Sequence, residues 1–363
     1  MIVRFVVNLA VFCVLSAGVF ADMVPVSIDV EAKKPAKFLS EMNFFVVEDG
    51  RITTTPNSGV EPFDVITPLF SDYTEKYRYV WMPDGVSAAY HDRDVMDFPV
   101  GTVMLKTFSY LHDLRDPSLG ERVLETRLLI HSSKGWKGWV YLWNEEQTDA
   151  ELKIAGTTVD AEWIDASGKA MKNNYIVPNI NQCKGCHEQS GKLEPIGPKA
   201  RYLNMDYEFA HGTQNQLSRL AEVGYLTGLP DDMESVSAVA RWDDESAPLE
   251  RRARAWLEIN CMHCHNLEGP ASTTGFVLDY YETDPIKLGV MKPPVAAGRG
   301  SGGFLYDIVP GDPDESILVF RIESTDPGIM MPELPRRLVH KESAKLIRAW
   351  IKAMEKPEGL DGD

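Results

Sequence analysis

From residue 61 to 178 apolar and polar positions alternate with a period of two, the spacing of half-buried strands. In "GTVMLKTFSY" Met104 and Phe108 fall on one face, Val103 and Leu105 on the other. "VLETRLLIH" places Leu124, Leu128 and Ile130 together, and "GWVYLWN" sets Trp139, Tyr141 and Trp143 opposite Val140 and Leu142. "AEWID", "SGK" and "NNYIV" read as strand, turn and strand. Short strands at regular spacing predict a sandwich-like β domain over 61–178. The aromatic row can serve as a binding platform, but such rows more commonly build core or cover a neighbouring group. Residues 22–60 carry little pattern, and "PNSG" at 56–59 reads as loop.

Near Pro178 the period changes from two to that of a helix. "QLSRLAEVGYL" gathers Leu217, Leu220, Ala221 and Tyr225 on one side. Residues 229–248 are acidic and loop-like, a linker. "LERRARAWLEIN" runs as a helix straight into Cys261. "GDPDESILVFRIES" offers Asp312 as N-cap, Pro313 at the first helical position and Glu315 at the third. "VHKESAKLIRAWIKAM" closes the pattern with Leu346, Ile347, Trp350, Ile351 and Met354 on one face. The divisions that follow are 1–21, 22–60, 61–178, 179–245, 246–355 and a tail, 356–363.

Composition narrows what the elements serve. A formal net charge of −17 over 363 residues excludes the basic footprint of a nucleic-acid binder and suits steering toward a basic partner. Residues 1–21 have Arg4, an uncharged apolar run and Val19 and Ala21 before the break, which reads as an export signal removed on processing. The run is short for a spanning helix, and no later stretch is apolar enough to be one, so no membrane span is expected after processing. Cys13 leaves with the signal; Cys183, Cys186, Cys261 and Cys264 remain.

All four lie in two copies of one motif, "CKGCH" and "CMHCH". Cys-x-x-Cys-His is the pattern of c-type haem attachment. Two thiols on one helical turn reach the two vinyl groups of one porphyrin, and the next residue, His187 or His265, falls under the iron. Two disulfides, or one zinc held by two Cys-x-x-Cys knuckles, would leave both histidines unused, and 78 residues separate Cys183 from Cys261. A thioredoxin-like site would need a βαβ setting. The expected cofactors are therefore two haem c groups. In the second segment a helix, the motif, Met331-Pro332 and a closing amphipathic helix follow the order of a small monohaem cytochrome c. Met331 is the expected distal ligand there, preferred to Met330 because Met-Pro is the usual ligand-loop order. The first segment has no Met-Pro; Met205 is its tentative distal ligand, with His211, Met233, His263 and an open iron as alternatives. "AAGRGSGG" lacks the Gly-Lys-Ser/Thr of a phosphate loop and reads as a segment passing a haem edge, with Arg299 available to a propionate.

The runs "PLFSDYTEKYRYVWMPDG", "FPVGTVMLKTF", "LETRLLIH", "YLWNEEQTDAEL" and "VPNINQCKGCHEQSGKLEPIGPKARYLN" follow in series. With "INCMHCHNLEGPASTTG", "PPVAAGRGSGG" and "IVPGDPDESILVFRIESTDPGIMMPEL", over residues 60–355, they resemble a family of Gram-negative bacterial dihaem c-type cytochromes with an N-terminal β domain. The resemblance implies a periplasmic location, haems on Cys183/Cys186 and Cys261/Cys264, and proximal roles for His187 and His265; it also supports Met331. The expected fold is an α+β multidomain chain: a β-sandwich-like domain followed by two α-helical cytochrome c modules, the second class I-like. The expected function is electron transfer between periplasmic donor and acceptor proteins. A dihaem peroxidase with one open iron, or a docking module for an oxidoreductase, is the alternative.

Overall fold

The computed structural model describes residues 24–295, 297–334 and 336–355. The expected signal at 1–21 and the tail at 356–363 lie outside the described residues. Among those described, no helix is long and apolar enough to cross a membrane.

A 3₁₀ turn at Leu39–Met42 precedes β1 (Phe45–Glu48) and β2 (Arg51–Pro56), which pair as an antiparallel ribbon. Next come β3 (Val60–Phe63), β4 (Glu75–Trp81), the two-residue β5 (Ala88–Ala89), β6 (Val103–Leu111), β7 (Glu121–Ser132), β8 (Gly135–Trp143) and β9 (Ala150–Leu152). Six of these form one antiparallel sheet in the order β3-β4-β6-β7-β8-β9. A hairpin of β10 (Thr157–Ile164) and β11 (Ala170–Val177) lies beside it as a separate two-stranded sheet.

Each face of the six-stranded sheet has its own cover, as the period-two pattern requires. On one face Val103, Leu105, Leu128, Ile130, Tyr141 and Trp143 pack against Leu39, Met42, Phe44, Phe45 and Ile52 from the N-terminal ribbon. Burying each such side chain contributes about 1.5–3 kcal/mol. The Trp139/Tyr141/Trp143 row belongs to this core, and the Trp143 indole N–H donates to Thr126 Oγ1 at 3.0 Å. On the other face Phe108, Tyr110, Leu124 and Val140 meet Trp163, Tyr175 and Val177 of the β10–β11 hairpin. Leu124 therefore lies opposite Leu128 and Ile130. A bulge separates them: Phe108 pairs with Glu125 but Ser109 with Val123, and the extra residue inverts the alternation.

The same second face also seats the segment with the first cysteine pair. Helix α1 (Ile180–His187) is capped by Asn179, whose side chain accepts from the Gln182 N–H while Gln182 returns the bond. It approaches β8 at Gly138, where a Cβ would stand 2.7 Å from Ile180 Cδ1. Two small ribbons follow, β12 (Glu188–Gln189) with β13 (Lys192–Leu193), then β14 (Asp206–Phe209) with β15 (Gly212–Asn215). The short helices α2 (Ala200–Leu203) and α3 (Gln216–Glu222) flank β14 and β15, and β16 (Leu226–Thr227) pairs in parallel with β5. Residues 229–248 are packed: Val236, Val239 and Ala240 join the cluster that holds Met82, Met104, Leu203 and Leu217.

Helix α4 (Leu249–Leu257) widens into a π turn over Glu258–Met262 that carries Cys261. Asp312 caps only a 3₁₀ turn, Pro313–Glu315; Ser316 is extended, and α5 begins afterwards (Ile317–Glu323). Helices α4, α5 and α6 (Lys341–Ala353) pack through Trp256, Leu257, Leu318, Val319, Ile347 and Ile351.

The expected fold class is thus corrected. Strand outweighs helix, 29% to 22%, and the described residues do not form the expected pair of α-helical cytochrome modules. One six-stranded sheet replaces the expected sandwich, and residues 179–245 form short helices and ribbons laid on that sheet. The physical reason is that the period-two strands present two apolar faces, and the second is covered by the very segments expected to fold as independent helical units.

Candidate functional site

Two cavities flank the cysteine motifs. The first, about 180 Å³, has the sheet as one wall: Arg78 on β4, Met104 and Lys106 on β6, Arg127 and Leu129 on β7 and Gly138 on β8. Cys183, Cys186 and His187 of α1 also line it. The second, about 280 Å³, is lined by Cys261, Cys264 and His265, by Leu278, Leu318 and Ile322, and by Met331.

Each motif histidine is held in one tautomer. The His187 Nδ1 is 2.8 Å from the Glu194 carbonyl oxygen, which only accepts, so the proton sits on Nδ1. Burial, the largest cause, keeps the ring neutral by pushing its pKa down to about 4. The Nε2 lone pair is thus free for a metal, as in ligating imidazoles whose other ring nitrogen is held by a carbonyl. His265 follows the same logic more loosely. Its Nδ1 is 3.4 Å from Thr274 Oγ1, whose own proton goes to the Ala271 carbonyl at 2.7 Å. Burial lowers its pKa to about 4 as well.

Met331 lines the second cavity and Met330 does not, being packed inward at 6% exposure. Arg336, buried at 3%, holds the Met331 segment. Its guanidinium donates to the Met331 carbonyl at 2.7 and 3.1 Å, to Arg321 at 3.1 Å and to Leu338 at 3.1 Å. The proposed distal candidates of the first motif fare differently. Met205 is turned into the apolar cluster around Leu203 and Leu217, His211 is exposed and stacked on Phe209, and Met233 lies at the edge of the same cluster. None of the three lines the first cavity. Arg299 pairs with Asp326 and does not reach the second cavity.

The two motifs, far apart in sequence, meet in space. Cys186, His263 and Leu334 line both cavities. The donor atoms of Cys186, His263 and Cys264 all lie within 4.8 Å of one another, and Cys264 Sγ approaches the Gly185 carbonyl at 3.4 Å. Hydrogen bonding to Cys264, with help from His263, lowers the Cys186 thiol pKa, whereas the same contact and burial raise that of Cys264. Burial alone pushes the Cys261 thiol up to about 12.

Sequence reasoning passed over Lys106, Arg321 and Arg336. Lys106 carried a signal: a lysine at a position facing the same way as Met104 and Phe108.

Four thiols, two tautomer-fixed imidazoles and two largely apolar cavities fit a pair of covalently attached haems. Cys183, Cys186 and His187 would hold one; Cys261, Cys264, His265 and Met331 the other. No family model, curated protein or solved structure matches the chain.

Proposed function

We propose that the protein is a periplasmic dihaem cytochrome c of the family its sequence resembles, carrying electrons between partner proteins. The observation that carries this reading is the shared wall: two Cys-x-x-Cys-His segments 78 residues apart fold so that Cys186, His263 and Leu334 belong to both cavities. A pair of haems supplies one-electron chemistry at iron, with potentials tuned by axial ligand, burial and hydrogen bonding. The chain's part is positional. The Glu194 carbonyl and the Thr274 hydroxyl orient His187 and His265. Arg336 fixes the loop that presents Met331. Leu278, Leu318 and Ile322 on one side, and Met104 and Leu129 on the other, keep water from the sites. The acidic surface suits basic donors and acceptors.

The test is expression in a host that matures c-type cytochromes, followed by intact mass and a reduced-minus-oxidised spectrum. A mass two haems above the processed chain, with both centres reduced by a periplasmic donor protein, supports the reading. A colourless product at the bare chain mass sinks it.

The cluster of Cys186, His263 and Cys264 supports a second reading, a soft metal such as zinc bound by free thiolates. The same mass measurement, made on denatured protein, separates the two, because thioether-linked haems stay with the chain and a coordinated zinc ion is released.

A further inference from the structure

The first cavity offers few donor atoms besides those of its own motif. Arg78 and Arg127 have no lone pair to give, and each is already paired, with Asp64 and Glu125 respectively. His263 is held at the thiols, its ring nitrogen within 4.8 Å of both Cys186 Sγ and Cys264 Sγ. Gln182 is committed to the Asn179 cap, and Tyr202 is fully buried with its hydroxyl against Glu258 and its ring under Arg201. That leaves Met104 and Lys106, two residues apart on β6.

Lys106 is the more telling. It sits between Arg78 and Arg127 in register, on β6, the middle one of the five strands of the main sheet that line the cavity. Among the described residues its Nζ has no carboxylate or hydrogen-bond partner; it lies 5.0 Å from the Phe108 ring centroid. An ammonium enclosed beside two guanidiniums that already engage the nearby carboxylates, Asp64 and Glu125, is unfavourable, whereas a neutral amine with a metal to bind is not. Met104, by contrast, is already satisfied by the apolar cluster of Val80, Met82 and Leu203.

We infer that Lys106 supplies the distal nitrogen ligand to the iron of the first haem, on the side away from His187. This rests on the dihaem reading and goes beyond it by closing the site that would otherwise serve an open-iron enzyme. The alternative task for Lys106, pairing a propionate, belongs at a cavity rim, and Lys106 has cavity-lining neighbours on both adjacent strands.

The experiment uses the full-length holoprotein. Intact mass first establishes two haems per chain in the wild type, Lys106→Ala, Lys106→Arg and Met104→Ala. Wild type without haem refutes the dihaem reading itself, which is a separate failure. Electron paramagnetic resonance of the ferric protein then counts low-spin and high-spin irons. The expected result is two low-spin centres in wild type and Met104→Ala, and one low-spin with one high-spin centre in both Lys106 variants. Added butylamine should return Lys106→Ala to two low-spin centres. The arginine variant is decisive because it keeps the charge for a propionate but offers no ligating lone pair. A Lys106→Arg protein with two low-spin irons overturns the inference. So does a high-spin iron in wild type, or loss of the low-spin signal in Met104→Ala alone.

Discussion

The ion pair of Arg201 and Glu258 joins the two halves of the candidate site, and its removal has a calculable effect. Arg201 on α2 and Glu258 at the start of the π turn are each 1% exposed. The guanidinium also donates to the Arg93 carbonyl and lies 5.0 and 5.2 Å from the rings of Tyr202 and Tyr281. Replacing Arg201 by methionine keeps much of the volume but strands a buried carboxylate, a loss of about 3–5 kcal/mol. With a urea slope near 3 kcal/mol per molar, the unfolding midpoint falls by about 1–1.7 M. Adding Glu258→Leu removes the stranded charge, and the double variant recovers most of that loss, since a packed apolar pair can match a buried ionic one. Urea unfolding of wild type, both single variants and the double variant, followed by tryptophan fluorescence, gives the coupling. If Arg201→Met costs less than about 1 kcal/mol, or if the double variant loses the sum of the two singles, the pair is not the joint we describe.

Arg336→Ala removes four hydrogen bonds to three carbonyls, and should cost about 2–4 kcal/mol in urea unfolding, with lysine restoring only part. If the second motif carries the proposed haem, Met331→Ala should open its iron to imidazole, seen as a spectral titration that wild type does not show; identical titrations would remove Met331 from its proposed role. His340 is half-buried beside Phe70, at 4.4 Å between ring centroids, and its partial burial lowers its pKa from 6.5 to about 4. Below pH 6.5 the unfolded chain takes up a proton that the folded chain refuses. His340 therefore contributes stability that is fully present above pH 6.5 and is lost as pH falls toward 4, at most about 3 kcal/mol. His340→Phe should flatten that part of the pH profile of urea midpoints, and a parallel profile would refute the assignment.

The sequence made the strands legible because alternation survives wherever one strand face meets core. It misled at Leu124, since a bulge is a backbone insertion that side-chain pattern does not record. The motifs marked Cys183, Cys186, Cys261 and Cys264 directly, because their spacing is local. The proposed distal ligands were harder to read. Met331 came with a neighbouring proline, but Lys106 lies 77 residues before Cys183, and only strand register brings it to the cavity. Met205 satisfied chain distance to His187, yet core packing claimed it first. The expected helical modules failed for the same reason: periodicity describes a segment's own face, not what its neighbour needs covered.

The first cavity draws its lining from Phe63 through Leu334. No cut between those two residues yields a fragment that keeps it, so the β-rich portion cannot be produced as a detachable cap, nor the remainder as a fragment with the cavity intact. An engineer wanting to study one cysteine motif by itself would have to silence the other by point substitution and leave the polypeptide whole.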